Sequence, residues 1–221
     1  MGGLVIAPVQ LDACRSFVET MPSSIPYVYV DSNLPDTQPL AVIGQNSFQS
    51  GICGARLMQL LVENGGEVAV LRMMPNDFHI NERVNGFLSF FENSDSVTVH
   101  EFEVNGSGDE GEFADQMRSI AQKVPECKGF FITNAAAHRV AKALQSIGCG
   151  GRKIIGYDCI EENRRLVAEG MIDFIISQNA EQQGYAAINT LFRYMVFKEP
   201  GAGEVTMPID IVMAENITDY Q

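Results

Sequence analysis

Short runs rich in β-branched and aromatic residues alternate with longer segments of helical period along the whole chain, and this alternation restricts the fold more than any other feature. A parallel neighbour can be reached only by carrying the chain back across the sheet, so the pattern implies parallel strands joined by crossover helices, an α/β fold. Strands are expected at residues 4–7, 27–31, 41–44, 67–71, 97–103, 129–133, 153–157 and 174–177, with a last one at 209–213. Helices are expected at 48–63, 79–91, 112–123, 136–146, 161–169 and 181–197. The first run, Leu4 to Ala7, is continuously apolar, which suits an interior strand with neighbours on both sides. "VENGG", "QSIGCGG" and "VAEG" read as helix ends with left-handed glycine caps, "NGSGDEGE" as a loop leading into a helix, and "KEPGAGEVTMP" as a long surface turn.

With 221 residues and 46 % hydrophobic content, the chain can bury the core of one large domain or two smaller lobes. Its formal net charge of -13 disfavours binding to nucleic acid or an anionic membrane. The nearest basic candidate, Arg164 and Arg165, sits among Glu161, Glu162 and Glu169 and reads as a solvated helix face. Five scattered cysteines without a CxxC pair suit reduced thiols and a cytoplasmic location rather than a disulfide framework or a zinc site. Neither a GxGxxG nor a GxxxxGK[ST] nor a GxSxG motif occurs, so no cofactor is expected. The three histidines lie far apart without metal-ligand spacing, and His138, next to Arg139, reads as a surface residue. A ligand-binding protein without catalysis is therefore the expectation.

In order along the chain, "GLVIAPV", "IPYVYVDSNLP", "VIGQNSFQSGICGARLMQLL", "ERVNGF", "FFITNAAAHRVAKAL", "IIGYDCIEEN" and "ISQNAEQQGYAAINTLF" together resemble the effector-binding core of the LacI-type transcription regulators. The resemblance implies the periplasmic-binding-protein fold of type I: two α/β lobes with parallel sheets, crossed by the chain three times, with the ligand between them. The implied lobes are residues 1–45 with 179–206, and 46–178 with 207–221. That family core begins with two further strand–helix units before the strand matched by "GLVIAP", so the resemblance implies an incomplete first lobe. It also implies that DNA is contacted only through a headpiece outside this sequence, that a homodimer forms, and that the effector is a sugar or sugar derivative. Solute-binding proteins that deliver sugars to permeases share the fold and the pocket, so sensing and transport both stand as readings.

Sugars present many hydroxyls, each a donor and an acceptor, and planar side chains with paired polar atoms can clamp two of them at once. The resemblance places such groups at particular positions. Arg83 in "ERVNGF" matches an arginine that donates to ligand oxygens; pairing with Glu82 on an exposed helix is its other reading. Asp158, ending "IIGYD", matches an aspartate that accepts from sugar hydroxyls, and it could equally cap the helix near Glu161. Asn134 matches a ligand-contacting asparagine, although Ala135 stands where the family has an aspartate. Gln178 falls on an implied crossing between lobes, as a ligand contact or a hinge residue. Asp31 matches a first-lobe aspartate or starts a turn in "DSNLPD". Gln49 and Asn46 face the ligand or cap a helix. Phe78 and His79, one turn before Arg83, offer an aromatic face and a polar contact, with core packing the competing reading for Phe78.

Overall fold

The computed structural model describes residues 2–75 and 77–220. In chain order the first elements are β1 (Leu4–Ile6), α1 (Leu11–Thr20), β2 (Tyr27–Val30), β3 (Ala41–Gln45), α2 (Ser47–Leu61), β4 (Gly66–Met74), α3 (Phe78–Phe91) and β5 (Val97–Asn105). They are followed by α4 (Glu110–Lys123), β6 (Cys127–Ile132), α5 (Ala137–Ser146), β7 (Lys153–Tyr157), α6 (Glu161–Ala168), β8 (Phe174–Ser177), α7 (Ala180–Phe192), β9 (Gly203–Met207) and β10 (Asp210–Val212). Two compact units result: residues 2–46, 77–79 and 178–209 form the first, and residues 47–75, 80–177 and 210–220 the second.

The first unit holds a four-stranded parallel sheet in the order β1-β2-β3-β9. Val28, Ala41 and Ile43 of this sheet are closed by Ala187 and Leu191 of α7 together with Met207. β1 lies at the sheet's edge, the side on which the resemblance implies two further strand–helix units, and pairs only with β2 among the described strands. Its three residues are at best half-buried, so continuous apolarity there does not report burial on both faces. β9 corrects the reading of "KEPGAGEVTMP" as a surface turn: Gly203 to Met207 pairs in register with Ala41 to Gln45. Only two of its residues are apolar, Val205 and Met207, and pairing with β3 overrides the Gly and Pro signals around them. α1 also escaped the periodicity reading, although Leu11, Cys14 and Val18 lie on one half-buried side. The helix expected through residue 197 ends its regular part at Phe192 and continues as one π-helical turn, Arg193–Phe197.

The second unit holds a six-stranded sheet, β10-β8-β7-β6-β4-β5, parallel except for β10. One face is packed by α4, α5 and α6, with Phe113, Met117, Val140, Leu144 and Leu166 set against Leu71, Phe130, Ile154 and Ile175. On the other face Phe87 of α3 stacks on Phe131 of β6, centroids 4.5 Å apart. Burial on both faces explains why β4 carries the unbroken buried run Val68, Ala69, Val70 and Leu71. The loop before α4 is capped by Asp109, whose carboxylate accepts from the Gly111 and Glu112 amides at 2.8 and 2.9 Å, so that helix starts two residues earlier than expected. Among the described residues no helix is long and apolar enough to cross a membrane, and the five cysteines are unbridged.

Two glycines set the distance between α2 and α3. A Cβ on Gly51 would overlap the carbonyl oxygen of Arg83, and one on Gly86 would overlap the carbonyl oxygen of Phe48. The helices therefore meet backbone to backbone, and Arg83 starts from that contact. Gly86→Ala should lower stability by about 1–3 kcal/mol in chemical denaturation, through overpacking at the crossing. Gly184→Ala, on α7 with nothing within 4 Å of the added methyl, provides the contrast. That substitution should raise stability by up to about 1 kcal/mol through helix propensity alone.

Candidate functional site

In the six-stranded sheet the chain runs outward from β4 in both directions, to β5 on one side and to β6 on the other. Such a reversal leaves a crevice beyond the carboxyl ends of the two inner strands, because the crossover helices leave towards opposite faces. Thr133, directly after β6, closes the bottom of this crevice: its hydroxyl donates to the Leu71 carbonyl at 3.0 Å and accepts from the Met73 amide at 3.2 Å. Arg83, fully buried, enters from α3 and donates through Nη1 to the Thr133 carbonyl at 2.7 Å. Its guanidinium carbon stands 3.9 Å from the centroid of the Tyr157 ring. A buried cation needs such compensation, and a π face plus a carbonyl supply part of it without neutralising the charge. The reading of Arg83 as an exposed helical residue does not survive this burial.

Tyr157 ends β7 and is itself fully buried, with its hydroxyl 2.8 Å from Ser50 Oγ on α2. Ser50 in turn donates to the Ser47 carbonyl at 2.9 Å. The loops after β6 and β7 are tied together by Asn163 of α6, also fully buried. Its amide donates to the carbonyls of Ala135, Tyr157 and Asp158 at 3.1, 3.0 and 2.9 Å, and its oxygen accepts from the His138 amide at 2.9 Å. The loops that carry Asn134 and Asp158 are thereby tied together, one of them directly after the Thr133 carbonyl that Arg83 meets. Asn134 follows Thr133, its carbonyl accepts from the Tyr157 amide at 3.4 Å, and its side-chain oxygen accepts from the Ala136 amide at 3.0 Å. Asp158 is half-buried and left-handed, with φ 66°. The N-cap position of α6 is Ile160, two residues further on. Gln49 also belongs to the second unit, exposed on the first turn of α2.

The first unit carries its own group of candidates. Asp31 follows β2 with φ 68°, and its amide donates to the Ile43 carbonyl at 2.9 Å and to Gln183 Oε1 at 2.8 Å. Gln183 is buried on α7 and donates onward to the Gln178 carbonyl at 2.8 Å, so one side chain fixes both Asp31 and Gln178. Asp31 Oδ1 is buried and accepts no hydrogen bond from the described residues. Unpaired buried carboxylate oxygens are costly, which marks this one as awaiting a donor. Gln178 is buried, and Asn179 beside it is left-handed with φ 54°. Asn46 is exposed just after β3. Buried His79 has Nδ1 3.0 Å from Asp77 Oδ1, while Phe78 is exposed rather than packed in the core. Left-handed non-glycine residues are uncommon, and Asp31, Asp158 and Asn179 all occur where a strand of one or the other sheet ends.

Thr133, Ser50, Tyr157, Asn163 and Gln183 were not singled out by the sequence. Each looks like an ordinary core or helix residue there, and only position relative to strand ends could have drawn attention to Tyr157 and Thr133. Among the described residues there is no cluster of metal-ligating side chains.

Comparison with known proteins agrees with this architecture. The model of the periplasmic binding protein domain matches residues 1–199. The xylose/arabinose-binding protein XylF of Sulfolobus acidocaldarius is 24 % identical over 210 residues, which cover 87 % of this chain and 50 % of that protein. The chain thus spans half the length of that curated relative. A crystal structure assigned to a LacI transcriptional regulator of Bacteroides fragilis superposes with a TM-score of 0.90 at 29 % identity, covering 99 % of this chain and 78 % of the other. A solute-binding protein of an ABC transporter from Burkholderia graminis, in complex with D-arabinose, superposes with a TM-score of 0.89 at 21 % identity, covering 100 % and 78 %. The matched proteins are binding proteins or regulators, and no catalytic family is among them.

The surroundings of Arg83 have a titration signature. Burial pushes the Tyr157 phenol up to about 12, against the smaller lowering effects of the Arg83 charge and the Ser50 hydrogen bond. Burial also pushes Tyr29 up to about 12. A phenol raised in the folded state stabilises the fold fully below about pH 10, the unfolded value, and that contribution is lost as the pH rises towards 12. Stability should therefore fall steeply over this window in denaturant titrations, and Tyr157→Phe should make the fall shallower.

Proposed function

We propose, since this chain belongs to the family of periplasmic binding protein domains, that it binds a sugar or sugar derivative and performs no catalysis. The observation that carries the reading is the fixed, fully buried Arg83 at the sheet's switch point, with Asn134 and Asp158 on the loops that Asn163 ties together. A guanidinium donor, an amide and a carboxylate form the set that recognises vicinal hydroxyls, and left-handed Asp158 is held in an uncommon conformation by the network around Asn163. On the first unit, Asp31 and Gln178, both fixed by Gln183, are the corresponding candidates, with Asn46, Phe78 and His79 as further contacts; Gln49 is the further contact on the second unit.

The names of the Sulfolobus and Burkholderia relatives point to pentoses as the first sugars to test. The biological reading we favour is the effector-sensing core of a LacI-type regulator, supported by the order of the motifs and by the likeness to the Bacteroides fragilis structure. In that reading the sugar acts by binding one conformation more tightly than another, DNA is reached through a headpiece outside this sequence, and two copies act as a dimer. The likeness to the Burkholderia graminis solute-binding protein of an ABC transporter supports the second reading, a solute receptor for transport. The gene sequence immediately upstream separates them: a helix-turn-helix coding stretch supports sensing and an apolar leader supports transport.

Titration calorimetry with D-xylose, L-arabinose, D-arabinose, D-glucose and D-galactose tests the binding reading. At least one pentose should give heat. Asp158→Ala should weaken it at least about tenfold, the size expected for losing a charged hydrogen bond of roughly 1.5–3 kcal/mol. No heat with any of the five, or an Asp158→Ala protein that binds like the parent, would overturn the proposal.

A further inference from the structure

At the opposite end of the six-stranded sheet, where β6 and β7 begin, Lys128, Arg152 and Lys153 line a cavity of about 500 Å³ together with the turn at residues 148–151. Among the described residues no carboxylate lines it. A neighbouring cavity of about 260 Å³ shares Arg152, Lys153 and the turn, and it brings in Asp173. Three cations around one space are unexpected in a chain with 28 acidic and 15 basic residues.

What holds these cations matters. Arg152 donates to the carbonyls of Cys127, Cys149 and Pro125 at 2.8, 3.1 and 2.9 Å, and Lys128 donates to the Gly65 carbonyl. These partners are neutral, so they fix position and leave the charge in place. Among the described residues neither cation has a carboxylate partner, whereas Lys153 is paired with Asp173 at 3.0 Å. A guanidinium has five N–H donors and an ammonium three, so both groups keep donors in reserve. The turn contributes as well: Gly151 has φ 83°, and the Gly150 and Gly151 amides donate to no group among the described residues. Free backbone amides beside fixed cations form the concave arrangement that takes anions.

We propose that this corner is a binding site for a phosphate group, free or carried on a small ester. A tetrahedral dianion would offset the Arg152 and Lys128 charges together and could accept from the amides of the turn. The site stands at the end of the sheet away from Arg83, and it does not depend on the sugar reading.

The test is ³¹P line broadening and thermal melting with inorganic phosphate, then with glycerol 3-phosphate, against chloride at matched ionic strength and pH. Phosphate should broaden and raise the melting temperature where chloride does not. Lys128→Gln, at an exposed position, should keep the circular dichroism of the parent and bind phosphate about tenfold more weakly. Arg152→Lys, which retains the charge and loses the fork, should weaken binding too. Tighter binding of the ester supports an organic phosphate as ligand, and equal binding supports phosphate itself. The proposal is overturned if phosphate acts only as chloride does, or if Lys128→Gln binds phosphate like the parent. Those results would leave the cations with carbonyl anchoring alone.

Discussion

A fully buried guanidinium organises the second unit. Removing a cation from water costs several kcal/mol even after relaxation, so Arg83 requires surroundings built to receive it. The Thr133 carbonyl, itself placed by a hydroxyl that locks β6 to β4, meets one nitrogen, and the Tyr157 ring covers the face. Tyr157 must then be anchored at its far end, which Ser50 does from α2. The loops beyond must be held close, which Asn163 does from α6. Each step follows from the one before it. Three helices and three strand ends are committed to keeping one charge in one place, an arrangement with little use in a unit that only has to fold.

The sequence made the architecture legible and left the supporting contacts hidden. Alternating strands and helices of the six-stranded sheet follow from apolar runs such as Ile154 and Ile155, because burial on both faces demands them. The same logic reads Leu4 to Ile6 as an interior strand of a complete lobe, and in this chain, whose first lobe the resemblance implies to be incomplete, that strand lies at an edge with Val5 41 % exposed. It missed β9, where two apolar residues and a register with β3 outweigh a Gly and Pro neighbourhood. Strand-end polar residues stand out in sequence because a charge or amide after an apolar run is unusual. Tyr157, Ser50, Gln183 and Asn163 do not stand out, since a buried polar partner has no periodicity and is defined only by what it meets in three dimensions.

Much of the positive charge in this acidic chain is used as mortar for loops. Arg139 reaches the carbonyls of Gly106 and Gly108 at 2.6 and 2.8 Å, pairs with Glu110 at 2.9 Å, and lies over the Phe113 ring. It thereby holds the glycine-rich loop that leads into α4. Arg152 does the same for the turns around Cys127 and Cys149. Arginine suits this work, because a planar fork satisfies several carbonyls in fixed directions while remaining charged. Acidic side chains outnumber basic ones, 28 to 15, which keeps the net charge far from zero.

The crossing of α2 and α3 has a mechanical meaning. Where side chains separate two helices, a push on one is absorbed by rotamer changes before it reaches the other. At Gly51 and Gly86 nothing lies between the two backbones, and the atom in contact with Gly51 is the carbonyl of Arg83 itself. A shift of α2 along its axis is delivered to the root of that arginine without slack. The α2–α3 pair therefore works as a rigid linkage, and the tolerance on where the guanidinium sits is set by the absence of two methyl groups.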